Sequence, residues 1–112
     1  MRIAVPTSNG VLAEHFGHCE AFSFMDVNEA TNTISSATQE PAPPHEPGLL
    51  PRWLEERGVN VVISGGMGSR AQGLFKEAGI QVVTGAESRP PEVVARDYIA
   101  GALTTRPTSC HH

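Results

Sequence analysis

Three histidines and a cysteine stand where a metal could be met. His15, His18 and Cys19 fall within a single stretch, His-Phe-Gly-His-Cys, and His45 lies in Pro-Pro-His-Glu-Pro-Gly-Leu-Leu-Pro. Imidazole and thiolate are the natural ligands of soft and borderline metals. The spacing is neither that of a zinc finger nor that of a Cys-x-x-Cys site. The competing reading is a surface loop with two solvated histidines and a buried cysteine, and an ordinary loop histidine at 45. Prolines on both sides of His45 restrict its backbone, which lowers the entropy lost on binding a ligand. Glu46 is placed to cap the following helix or to orient the imidazole. Cys110 and His111 form a second Cys-His pair at the chain end. There the competing reading is an unstructured tail.

The second group with chemical potential is Ser64, Gly65, Gly66, Met67, Gly68 and Arg70, in the run Val-Ile-Ser-Gly-Gly-Met-Gly-Ser-Arg over 62–70. A β-branched run ends in glycines and an amphipathic helix follows. Such a turn lets bare backbone approach a ligand, and it aims the free N–H groups of a helix start at an anion. Arg70 adds a cation. No Gly-Lys-Ser/Thr follows, so this is not a Walker A loop, and the glycine spacing is not that of a dinucleotide fingerprint. The alternative is that the glycines serve tight packing alone. Met67 is either core filler or a thioether facing the ligand.

The elements that must position these groups can be read from periodicity. Strands are expected over 2–5, ended by Pro6, then over 21–27, 33–38, 59–63 and 80–83. Residues 28–32 form a hairpin turn between the second and third strands. Helices are expected over 49–57, with Leu50, Trp53 and Leu54 as the buried stripe, and over 69–78, with Ala71, Leu74, Phe75 and Ala78. A last helix opens at Pro90 or Pro91, capped by Ser88, and runs to about Leu103. The order β-β-β-α-β-α-β-α predicts an α/β fold: a mixed five-stranded sheet with helices on both faces and the later pairings parallel. Residues 1–103 form one domain and 104–112 a polar tail. The proline-rich stretch 39–48 is a stiff crossing loop within it.

Composition excludes several classes of function. With 112 residues the chain makes one small domain. Its 39% apolar and 18% charged content fits a folded globular chain. A net charge of −4 and a pI near 5.7 leave no electrostatic footprint for nucleic acid or an anionic membrane. No apolar run is long enough to span a bilayer, and no signal peptide opens the chain, so a cytoplasmic protein is expected. Two cysteines do not make a disulfide framework. No Ser-His-Asp or Cys-His-Asn set emerges. The first strand bears no acidic residue, which argues against a two-metal nuclease.

Taken together the motifs resemble those of the dinitrogenase iron–molybdenum cofactor biosynthesis family. The resemblance is carried by His-Phe-Gly at 15–17, His-Glu-Pro-Gly-Leu-Leu-Pro-Arg-Trp-Leu at 45–54, Val-Val-Ile-Ser-Gly-Gly-Met-Gly at 61–68 and a late Cys-His. That family includes the NifX and NafY carriers, the C-terminal domain of NifB and the small orange protein of sulfate reducers. The resemblance implies a ribonuclease H-like three-layer fold. It also implies non-covalent carriage or storage of a metal–sulfur cluster, containing molybdenum with iron or copper, without catalysis. His15, His18, Cys19 and His45 would then be the metal ligands, and Ser64–Gly68 with Arg70 the anion-binding turn. The chain lacks the extra domain of NafY, and its second histidine and cysteine at 18 and 19 differ from many relatives. A MinD/ParA-type P-loop ATPase is the partner the resemblance implies. On that alternative the chain is a regulatory module that binds the ATPase without metal. A monomer or weak dimer is expected.

Overall fold

In chain order the elements are β1 (Arg2–Ser8), β2 (Val11–Leu12), β3 (Ala21–Asn28), β4 (Thr33–Pro41), α1 (Leu49–Glu56), β5 (Val61–Ile63), α2 (Ser69–Glu77), β6 (Gln81–Val83) and α3 (Pro91–Ile99). The computed structural model describes residues 1–16, 19–44 and 48–105. Successive side chains of a strand point to opposite faces, and the central strands are apolar on both. Ile3, Val5, Met25, Val27, Val61 and Ile63 pack with Val94 and Ala95 of α3. Ala4, Phe22, Phe24 and Val62 face the other way and pack with Leu54 of α1 and Phe75 of α2. The result is three layers, with α1 and α2 on one face of the sheet and α3 on the other. Among the described residues, no helix is long and apolar enough to cross a membrane.

The sheet order is β4-β3-β1-β5-β6, with β2 attached to β1. β3 pairs antiparallel with β1 and with β4, while β1–β5 and β5–β6 are parallel. Two antiparallel steps make β4 run in the same direction as β1 and β5. The C-terminal ends of β1, β4, β5 and β6 therefore share one edge. Helices α1, α2 and α3 follow β4, β5 and β6 directly, so all three start at that edge.

The sheet has six strands where five were expected. Asn9 and Gly10 have φ of 54° and 81°, the left-handed pair of a type I′ hairpin turn. The turn folds β2 back on β1, with Ser8 opposite Val11. Pro6 does not end β1. Val27 N–H bonds Met1 O, and Asn60 N–H bonds Arg2 O, so even-numbered β1 residues direct their backbone groups away from β3. The missing donor of Pro6 thus points past the last β5 pair, Ala4 with Val62, and its carbonyl accepts Ala13 N–H at 2.8 Å.

Other boundaries shift for equally local reasons. β4 runs to Pro41, three residues beyond expectation. Ala42 N–H bonds Glu20 O at 3.0 Å, which directs the even-numbered β4 positions inward. Pro41 then sits where its absent donor faces outward. Ser35 is left unpaired by a register shift and bonds Asp26 O through its hydroxyl at 3.1 Å. A bulge and a proline are both devices that blunt an open sheet edge. α3 is capped by Pro90 and not by Ser88, with no side-chain cap. It ends at Ile99, and Leu103 packs against the α3-side core from beyond the helix. Thr105, assigned to the tail, forms a bridge with Ala86. Residues 106–112, with Cys110, His111 and His112, lie outside the described residues.

One ion pair ties edge strand β4 to the end of α1, and another ties β1 to β3. The Arg57 guanidinium lies 3.8 Å from the centroid of the Trp53 ring and grips Glu40 of β4 at 3.1 and 3.3 Å. Trp53 in turn packs on Phe22 and Phe24. Arg2 bonds Asp26 at 2.8 and 3.2 Å, and that hydrogen bond holds the Asp26 carboxyl below its usual value of 3.8. A depressed carboxyl contributes stability that is full above the unfolded value and lost as pH falls through the folded one. Both side chains are 37% exposed, so solvent screening keeps the effect modest. Asp26→Asn is expected to lower stability at neutral pH and to flatten its fall below pH 3.8. Urea midpoints measured across acid pH check this.

Candidate functional site

Beyond Ala4 and Val62, β1 and β5 part, and the segment 13–16 fills the gap. Gly66 N–H bonds Glu14 O at 2.7 Å, and Phe16 N–H bonds Gly66 O at 3.0 Å. His15 and Gly66 thereby form a parallel bridge. The other flank of the glycine turn is held by the segment after β6. Gly85 N–H bonds Gly65 O at 2.8 Å, and Ala86 N–H bonds Ser64 O at 3.1 Å. The two groups of residues singled out from sequence, the first histidine and the glycine turn, are thus neighbours in one ladder at the shared edge.

Gly65 is required by close approach. A Cβ there would lie 2.6 Å from Glu14 O and 3.1 Å from Ala13 O, both backbone atoms. The turn is therefore partly a packing device, as the alternative reading held. Gly66 also spends its N–H on Glu14 and does not offer it to a ligand. Met67 is 2% exposed and belongs to the core beneath α1 and α2 with Phe16 and Phe75. In this conformation it is core filler and does not face a ligand. Its carbonyl is held by Gln72 Nε2 at 2.9 Å.

What remains open to an anion is the helix start. Gly68 caps α2 with an extended backbone, no side-chain bond is made to the cap, and the first turn carries no acidic residue. α1 likewise has no side-chain bond to its cap and no acidic residue in its first turn, though its cap, Gly48, is left-handed with φ 77°. Helices commonly place an acid or a capping oxygen there to meet the free N–H groups and the positive dipole end. α1 and α2 lie on the same face and start at the same edge, and each has an exposed arginine in its first turn, Arg52 and Arg70. α3, on the opposite face, carries Glu92 in its first turn. Among the described residues, the first turns of α1 and α2 thus carry an arginine and no acid, unlike that of α3.

The proposed metal ligands divide. His15 is exposed at the edge. Cys19 is half-buried and packs against the α1–α2 core. Burial pushes its thiol pKa up, which disfavours the thiolate that binds metal. His18 and His45 lie outside the described residues. β4, the last strand before His45, ends at the shared edge. Among the described residues, no group of three or more His, Cys, Asp and Glu side chains could hold a metal ion.

Sequence reasoning missed Arg52, Glu14 and the segment 84–86. The arginine had a signal, since Pro51-Arg52 opens a helix directly after the histidine loop. Residues 84–86 follow a parallel strand and belong to the same edge by the same rule that found 64–68. Nothing in the sequence marks the Glu14 carbonyl.

Known proteins share the chain's family and fold. A family model described as dinitrogenase iron-molybdenum cofactor matches residues 1–101. A crystal structure known as PH0822 superposes with a TM-score of 0.85 at 30% identity, covering 94% of each chain. An uncharacterised protein of Methanocaldococcus jannaschii is 29% identical over 85 residues, 73% of this chain and 72% of that one. The apo form of the orange protein from Desulfovibrio gigas superposes with a TM-score of 0.73 over 94% of this chain and 92% of that one. At 23% identity it shows likeness of fold alone.

Proposed function

The chain belongs to the dinitrogenase iron-molybdenum cofactor family, and from that premise we propose that it binds an anionic metal–sulfur cluster non-covalently and carries or stores it. The observation that supports this most is the pair of uncapped, acid-free helix starts with Arg52 and Arg70, beside an exposed His15 bridged to Gly66. A bare metal ion needs several protein ligands. A preassembled cluster brings its own sulfides and needs chiefly charge complementarity, hydrogen-bond donors and one or two anchoring side chains. The described residues suit the second cargo better than the first. Within this reading His15 is an anchoring ligand, with His18 and His45 as further ligands, and Cys19 is a packed thiol. Molybdenum with iron or copper is the metal content, and the domain acts by binding and not by catalysis. The strand order and the antiparallel start followed by parallel β5 and β6 support a ribonuclease H-like classification of the fold.

The test is an anaerobic titration with tetrathiomolybdate, with and without copper. Visible absorption and metal analysis follow after desalting. Stoichiometric retained colour is expected. His15→Ala is expected to weaken binding roughly tenfold, about 1.4 kcal/mol, with the fold unchanged by circular dichroism. Arg70→Glu is expected to weaken it at low salt and to matter less as ionic strength rises, since this charge is exposed. No retained colour in either titration would sink the molybdenum–copper reading.

A further inference from the structure

Among the described residues, the buried side-chain oxygen left without a hydrogen-bond partner is Ser64 Oγ. Ser64 is fully buried. Its N–H bonds Val83 O at 2.8 Å, which continues the ladder of β5 and β6. The side chain therefore shares a face with Val62, the face of α1 and α2. It lies at the root of the turn that leads into α2. The start of α2 has no side-chain cap and no acidic residue. A buried hydroxyl lacking an acceptor and a helix start with no acid in its first turn thus lie on one face, at the two ends of a single short turn. Unpaired buried hydroxyls are costly and uncommon, so their coincidence here points to a ligand.

We propose that Ser64 Oγ is the innermost donor of an anion subsite at the start of α2, giving its hydrogen bond to a sulfide or oxo atom of a bound tetrahedral metallate group. The identity of the ligand rests on the cluster-carrier reading above, whereas the subsite itself rests on Ser64 and α2. Ser64 has no exposed surface, so the ligand atom reaches it when a covering side chain yields. Met67 is buried on the same face and follows Ser64 by three residues. It is unbranched and flexible, the kind of core side chain that moves at least cost. The subsite specifies ligand chemistry. It takes an anion whose peripheral atom accepts a hydrogen bond, and it discriminates against a bare cation.

Two variants of the full chain, Ser64→Ala and Ser64→Thr, test this against wild type. Each is titrated with tetrathiomolybdate and, separately, with molybdate, and each is unfolded in urea without ligand. Ser64→Ala is expected to bind tetrathiomolybdate about tenfold more weakly, the size of one hydrogen bond to a charged group. Ser64→Thr keeps the hydroxyl and is expected to restore most of it. Without ligand, Ser64→Ala is expected to raise the urea midpoint, because it removes an unsatisfied buried hydroxyl. Equal affinity in wild type and Ser64→Ala would overturn the proposal, as would a lower urea midpoint for Ser64→Ala, which would show the hydroxyl to be partnered already. If tetrathiomolybdate is not retained but molybdate binds and Ser64→Ala weakens it, the subsite stands and the cluster reading falls. If neither anion binds wild type, both fall.

Discussion

Gly65→Ala is expected to lower stability by about 2–3 kcal/mol and, by the same movement, to abolish the proposed cluster binding. The magnitude follows from what the new methyl would meet. Its contacts are the carbonyl oxygens of Glu14 and Ala13, the nearer at 2.6 Å. Backbone atoms cannot rotate away, so either β5 or the segment 13–16 must shift. Overpacking of a tight core typically costs about 1–3 kcal/mol, a large fraction of what a small domain has. The shift also breaks the Gly66–Glu14 and Phe16–Gly66 hydrogen bonds, which fix His15 beside the turn. Stability and binding are therefore lost by one movement. Gly73→Ala is the control. It lies within α2 with nothing within 4 Å of its added Cβ, and it is expected to gain about 0.5–1 kcal/mol from helix propensity. Urea midpoints and tetrathiomolybdate retention for the two variants check this. A Gly65→Ala protein as stable as wild type would show that contact with 13–16 does not hold the turn.

The parts of the fold legible in the sequence are those set by local periodicity. Ala71, Phe75 and Ala78 mark α2, and Leu50, Trp53 and Leu54 mark α1, because a helix must bury a stripe against the sheet. The doubly apolar strands at 21–27 and 59–63 announce a sheet covered on both faces. What escaped depends on pairing between distant segments. Pro6 reads as a stop until the parting of β1 and β5 shows that its missing donor costs no ladder bond. The two-residue β2 exists only because an Asn-Gly turn aims it back at β1. At the site, the glycine turn and His15 were legible as chemistry, but their adjacency is a long-range bridge that no local signal carries. Met67 was ambiguous for the same reason. A methionine at the tip of a glycine turn reads equally as core filler or as a thioether facing a ligand, and its packing with Phe75 and Phe16 makes it core.

Gly68→Asp is expected to stabilise the free protein while removing its capacity for an anionic ligand. The cap residue of α2 has φ −63° and ψ 152°, an extended backbone that any residue adopts, and a Cβ there meets nothing within 4 Å. Glycine is thus not required at 68 by conformation or by space. Asp is among the strongest N-cap residues; glycine is itself a fair cap, so the new bond to the free N–H groups adds only about 0.3 kcal/mol, and the charge near the dipole adds about 0.3–1 kcal/mol. The same carboxylate occupies the donors that an incoming anion would use and sets a negative charge beside it. Binding of tetrathiomolybdate is therefore expected to fall by roughly a hundredfold, about 2.7 kcal/mol, while the thermal midpoint rises by a few degrees. Gly68→Asn separates the two contributions. It offers the same cap without the charge, so it should keep only the smaller, capping part of the stability gain and lose less affinity. A helix start whose best available cap raises stability but costs function is one whose donors are reserved for a ligand. If Gly68→Asp gained stability and bound tetrathiomolybdate as well as wild type, the start of α2 would not be the anion site, and the start of α1 with Arg52 would be the remaining candidate.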